Sequence, residues 1–169
     1  FNLVKRALPE SRSQDEDLVS EIKSGFDEYY SKNYAVHTKE YNGITDAVKK
    51  IGQMGYILCV VSNKPDVFAK TIVGEFFKGI FADVVGNSDK FNKKPAPDTV
   101  LYLMDKYSVD SKHCTIIGDS DVDIITAKNA GVRSVGAAWG FRGEAELISA
   151  GADFIAHLPN ELPDIVKLF

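Results

Sequence analysis

The sequence predicts an α/β protein, a doubly wound parallel sheet preceded by a partial helical unit. Three observations carry this. From about residue 41 onward, short runs rich in Val and Ile alternate with stretches of helical period, as in a sheet built from βα units. Before that point, apolar residues recur three or four positions apart and no strand pattern appears. A chain of 169 residues can bury one sizeable core and leaves little room for a second. The expected organisation is a helical unit at 1–40 and an α/β domain at 41–169.

In the first unit, Leu3, Val4, Ala7 and Leu8 form one helical stripe, and Leu18, Ile22, Phe26, Tyr29 and Tyr30 form another. The polar stretch 9–17 links them, and Gly43 opens the α/β part. Strands are expected at 57–62, 83–86, 115–119, 134–139 and 153–156. Between them Ile44, Val48 and Ile51 share a helical face that Gly55 can end, and 65–77 opens with Pro65 and Asp66 before its apolar stripe. Val100, Leu101, Met104 and Tyr107 mark a third helix. Ile124, Ile125 and Ala127 before Gly131 mark a fourth, and 144–150 before Gly151 a fifth.

With 20 basic against 24 acidic residues, the net charge of -4 argues against an extended nucleic-acid surface and leaves a small molecule as the expected partner. No apolar run approaches the roughly twenty residues of a membrane span, so a cytoplasmic location is expected. Cys59 and Cys114 each lie inside an apolar run and read as free thiols that behave as small hydrophobes. Oligomeric state is not legible.

In an open parallel sheet, ligands bind at the carboxyl ends of strands. Three such ends are unusually polar. Ser62-Asn63-Lys64-Pro65 places a hydroxyl and an amide before a helix start, where free backbone N–H groups cradle phosphate. The same residues can instead simply cap that helix. Asn92-Lys93-Lys94-Pro95-Ala96-Pro97-Asp98 sets lysines in a proline-stiffened turn, from which an ammonium can neutralise a phosphate oxygen; a solvated loop is the plainer alternative. Gly118-Asp119-Ser120-Asp121-Val122-Asp123 puts three carboxylates within five residues of a strand end, a concentration that repels itself unless a hard cation such as Mg²⁺ is bound. A capped helix start is again the simpler account.

Together and in this order, the three strand ends resemble motifs two, three and four of the haloacid dehalogenase superfamily. The quoted forms Ser-Asn-Lys-Pro, Lys-Pro-Ala-Pro-Asp and Gly-Asp-Ser-x-x-Asp-Ile look most like phosphoglycolate phosphatases and their relatives. The resemblance spans nearly the whole chain. It implies a Rossmann-like core, with the helical start as part of an inserted α-helical cap. It also implies a Mg²⁺-dependent phosphatase for a small phosphorylated metabolite, working through an aspartyl-phosphate intermediate. On that resemblance Ser62, Asn63 and Lys94 are the catalytic and phosphate-binding residues, and Asp119 and Asp123 are the metal ligands.

One motif is absent. Family members open with a strand ending in Asp-x-Asp-Gly, whose first Asp is the nucleophile. Here Asp15-Glu16-Asp17 has the right spacing, but it follows Ser11-Arg12-Ser13-Gln14 rather than an apolar strand and no Gly comes after it, and Asp119 is expected to be committed to the metal. The missing strand belongs between those ending at Ser62 and Asp119, so two inner sheet edges are expected to stand unpaired. The expectation is therefore that these residues belong to a longer protein, with the nucleophile upstream of Phe1 and the 169 residues inactive alone. A non-catalytic phosphate-binding or interaction domain of the same fold, or a sugar-phosphate mutase, is the alternative. Trp139 and Phe141 read as core or loop anchors rather than pocket walls, and His37, His113 and His157 share no metal-ligand spacing.

Overall fold

The structure is a computed structural model that describes residues 2–169, with side chains from Val4 onward. Leu3 of the first predicted stripe lies outside the described side chains. The chain divides into two compact units, the first ending at Lys39 and the second being Glu40–Phe169.

In the first unit α1 (Asn2–Ala7) packs against α2 (Glu16–Asn33), whose N-cap Asp15 accepts a hydrogen bond from the Leu18 N–H at 3.0 Å. Asp15 is thus a helix cap, which explains an Asp-Glu-Asp run with no strand before it. Val4 and Val19 are the buried side chains here, and Ile22, Phe26 and Tyr29 stay exposed along the stripe.

The second unit follows βα order. It contains α3 (Ile44–Gln53), β1 (Cys59–Pro65), α4 (Asp66–Phe76), β2 (Asp83–Asn87), α5 (Asp98–Lys106), β3 (Thr115–Gly118), α6 (Asp121–Ala130), β4 (Arg133–Ala137), α7 (Gly143–Ala150), β5 (Phe154–Ala156) and α8 (Leu162–Ile165). Every pairing is parallel, as βα connections require. Alternation along β4 shows the double winding: Val135 joins Ile51, Leu162 and Val166 in one buried cluster, while a Cβ on Gly136 would press on Leu147 of α7. Helices α3 and α8 therefore cover one face and α7 the other. The segment 159–168 carries no motif that the sequence reading singled out, yet it supplies the buried Leu162, Pro163 and Val166.

The strands form two sheets, β1-β2 and β3-β4-β5, rather than one. Among the described residues, one edge of β1 and one edge of β3 have no strand partner, and Ile117 on β3 is 38% exposed. These are the two edges that the sequence analysis expected to stand open.

At the start of β2, Asp83 accepts hydrogen bonds from Lys106 Nζ at 2.5 Å and the Tyr107 hydroxyl at 2.6 Å, tying the end of α5 to the sheet. The Lys106 ammonium, and after it the Tyr107 hydroxyl, hold the Asp83 carboxyl below its ordinary value of 3.8. Because the folded value is depressed, this stabilisation is complete above pH 3.8 and is lost as pH falls through the lower folded value. Asp83→Asn is expected to lower the thermal unfolding midpoint at pH 7, and the gap from the parent should narrow below pH 3.8 in a melting series.

Candidate active site

The carboxyl ends of β1 and β3, and the loop after β2, carry the residues singled out above. The sequence analysis ended the first strand at residue 62; β1 instead continues to Pro65, with its register to β2 shifting between Val61 and Pro65. Ser62 and Asn63 therefore lie in the last turn-free stretch of the strand. Neither caps α4, whose N-cap position is Pro65 with no side-chain cap bond. The Ser62 hydroxyl accepts from the Lys64 N–H at 3.1 Å, which fixes its oxygen at the strand end.

Asn63 is committed to the neighbouring loop. Its Oδ1 accepts from the Lys94 N–H at 2.9 Å and its Nδ2 donates to the Lys94 carbonyl at 3.0 Å, a two-way clamp on the backbone of one residue. A side-chain amide used in this manner positions a neighbour rather than presenting itself to a ligand. The clamp delivers the Lys94 side chain: its Nζ donates to the Val61 carbonyl at 2.9 Å and to Asp123 Oδ1 at 2.6 Å. The pair is well sheltered, with side-chain exposures of 16% and 10%. One ammonium thus joins the end of the β1-β2 sheet to the first turn of α6, which follows β3.

Asp123 uses both oxygens: Oδ2 accepts from the Ser120 N–H at 3.2 Å and the Ser120 hydroxyl at 2.7 Å, while among the described residues Oδ1 accepts from Lys94 alone. Ser120 and Asp123 thereby organise the start of α6, so the capping account of this stretch holds alongside any other role. Asp119 differs. Among the described residues its carboxylate accepts only one hydrogen bond, from the Phe141 N–H to Oδ2 at 3.1 Å, leaving Oδ1 open. Asp121 lies to the side, its N–H directed at Glu146 Oε1 at 3.4 Å.

Two glycines make room for the acids. A Cβ on Gly118 would come within 2.2 Å of Asp123 Cβ, and one on Gly140 within 2.1 Å of Asp119 Cβ. Gly140 and Glu146 escaped the sequence reading as partners of this site, although Gly140 follows the fourth strand end and inspection of that end would have raised it. Phe141 is 92% exposed beside Asp119, whereas Trp139 packs against the cluster around Val135, as its anchor reading expects. His113 pairs with Asp110 and His157 with Glu144, both on the surface.

Whether the residues suit a divalent cation can be judged from their chemistry. Among the described residues, no group of three or more His, Cys, Asp or Glu side chains converges to hold a metal ion. Mg²⁺ characteristically takes one or two carboxylates and completes its shell with waters and substrate phosphate oxygens. Asp119, with one unoccupied oxygen in a notch kept clear by Gly140, and Asp123 beside it in sequence fit that smaller requirement. Both cysteines are free, and burial pushes each thiol above its ordinary value of 9.0, so neither is an activated nucleophile. No helix among the described residues is long and apolar enough to cross a membrane.

A doubly wound α/β domain with a lysine, a serine and paired aspartates gathered at its strand ends has the makings of a hydrolase for small anionic substrates. The profile of the haloacid dehalogenase-like hydrolases matches residues 2–137, and the chain belongs to that family. Among characterised relatives, it is 30% identical over 171 residues to the phosphoglycolate phosphatase of Vibrio parahaemolyticus, covering 98% of this chain and 75% of that one. It is 33% identical over 164 residues to that of Aquifex aeolicus, covering 96% and 74%. The crystal structure of a candidate phosphoglycolate phosphatase from Lactobacillus delbrueckii subsp. bulgaricus superposes with a TM-score of 0.86 at 33% identity, over 94% of this chain and 66% of that one.

Proposed function

We propose that this chain serves a Mg²⁺-dependent phosphatase acting on a small phosphomonoester of the phosphoglycolate type. The observation that carries the reading is the Lys94 ammonium, held at a meeting point of strand ends by the Val61 carbonyl and Asp123. An ammonium fixed before substrate arrives stabilises charge on the phosphoryl oxygens without reorganising during transfer. The Ser62 hydroxyl is the second group for those oxygens, and Asn63 acts by holding the Lys94 backbone. Asp119 and Asp123 would hold Mg²⁺, which when bound neutralises phosphoryl charge.

Phosphoryl transfer needs an attacking carboxylate, and in this reading Asp119 and Asp123 are both committed to the metal. By resemblance to the family, the nucleophile is in this reading an aspartate on a strand between the open edges of β1 and β3. It attacks phosphorus, the leaving oxygen takes a proton, and water then cleaves the aspartyl phosphate to regenerate the carboxylate. Unit 1 is in this reading part of an α-helical cap domain. Free thiols at Cys59 and Cys114 suit a reducing compartment, and we place the protein in the cytoplasm.

The test is phosphate release from p-nitrophenyl phosphate by the full natural protein, with Mg²⁺ and after its removal by chelation. Turnover should disappear on chelation and return with added Mg²⁺, and Asp119→Asn should lose about a hundredfold or more in kcat. Release that persists without metal, or survives in Asp119→Asn, would sink the assignment. A protein that binds inorganic phosphate but releases none from any ester favours the phosphate-binding module instead.

A further inference from the structure

We propose that Lys93 recognises a second anionic group on the substrate, a carboxylate a few bonds from the phosphoryl group. This rests on the phosphatase reading and names what that site holds at the substrate's other end.

Lys93 lines the same narrow cleft as Ser62, Asn63 and Lys94, together with Asn87 and Asn92. Its backbone is pinned on both sides. Asn92 is fastened to Asp98 Oδ2 through its N–H at 3.2 Å and its Nδ2 at 2.8 Å, and Lys94 is clamped by Asn63. The Lys93 carbonyl itself accepts from the Ala96 N–H at 2.9 Å. The root of the side chain is therefore as well fixed as that of Lys94.

The two ammoniums differ in what they already hold. Lys94 is bonded to Val61 and Asp123, and Lys90 of the same loop lies over the Phe91 and Tyr102 rings at 5.0 and 4.3 Å. The Lys93 ammonium has no hydrogen-bond or ion-pair partner among the described residues. No neighbouring acid among them is bonded to it: Asp98 is turned to Asn92, and Asp89, which shares with Lys93 the lining of an adjoining hollow, makes no ion pair with it.

Asn87, at the end of β2, lines the cleft too, and its side-chain amide has no partner among the described residues. A free ammonium and a free amide on one wall, with the phosphoryl-binding pair Ser62 and Lys94 also in the cleft, make a donor set for a compact dianionic ester. Charge-assisted hydrogen bonds to a carboxylate are the strong kind. Such a contact is made equally in ground and transition states, so its loss shows chiefly in KM.

The experiment compares 2-phosphoglycolate with ethyl phosphate, which keeps the phosphoryl group and the two-carbon length but lacks the carboxylate. In the full natural protein, Lys93→Ala should lower the ratio of kcat/KM values for the two substrates by about tenfold, through KM for 2-phosphoglycolate. Lys93→Arg, which keeps the charge, should restore most of the ratio, and Asn87→Ala should lower it less than Lys93→Ala. An unchanged ratio, or equal losses on both substrates, overturns the role of Lys93 while leaving the phosphatase standing. A parent protein that hydrolyses neither ester overturns the phosphatase reading and this inference with it.

Discussion

Replacing Lys94 with alanine is expected to reduce phosphate release by about a thousandfold, the scale on which losing one pre-positioned donor to a developing charge is felt. It should also lower folding stability by about 3 kcal/mol, because the substitution leaves a sheltered carboxylate without its counter-ion. Asp123 is 10% exposed at its side chain, and its Oδ1 would lose its only partner among the described residues. The Val61 carbonyl would lose the same donor. Arginine is not expected to rescue activity, since the planar guanidinium is larger than the ammonium and cannot reproduce bonds at 2.9 and 2.6 Å to two differently placed oxygens. Denaturant titration and steady-state kinetics on Lys94→Ala and Lys94→Arg separate the two effects. Near-normal turnover in Lys94→Ala would remove the residue from the chemistry.

The second large effect is expected at a residue with no functional group. Gly140→Ala would set a Cβ 2.1 Å from Asp119 Cβ, 2.7 Å from its Cγ and 2.5 Å from Oδ2. Atoms cannot remain so close, so either the loop after β4 retreats and the Phe141 N–H leaves Asp119, or Asp119 swings off its strand end. Overpacking of this kind costs about 1–3 kcal/mol. Because a displacement of about an ångström at a reacting group can cost a hundredfold in rate, kcat should fall by about that factor while the protein still folds. Gly74→Ala is the matched control, as its added Cβ meets nothing within 4 Å. A Gly140→Ala enzyme with parental kcat and Mg²⁺ dependence would show that Asp119 need not sit where Gly140 now allows.

Much of this protein could be read from local pattern. Each of the five predicted strands is present, because Val- and Ile-rich runs of that length between helical stripes have few other places to go. Their ends are less well fixed. Ser62 and Asn63 looked like cap candidates, since the residues before a helix that opens with Pro and Asp usually are. Pairing of Pro65 with Asn87 draws them into β1 instead, and that depends on β2, twenty residues away. The segment 159–168 was missed for a related reason. Its short helical turns bury Leu162 and Val166 only because Ile51 and Val135 lie opposite.

The site divides in the same way. The sequence alone determined the family and pointed to the three polar strand ends with Ser62, Asn63, Lys94, Asp119 and Asp123 as candidate site residues, since each signature is a short contiguous run whose residue types and spacing are visible without a fold. It also indicated that the sheet should have open inner edges. Tertiary structure alone decided how the amide of Asn63 is spent, which oxygen of Asp119 stays open, that Gly140 keeps space for it, and that Lys93 lacks a partner while Lys94 has two. Those are contacts between residues 21 to 33 positions apart, and no periodicity or composition encodes them. They exist because parallel βα units bring successive strand ends to the same edge of the sheet, where hydrogen bonds and steric exclusion between loops settle each side chain's role.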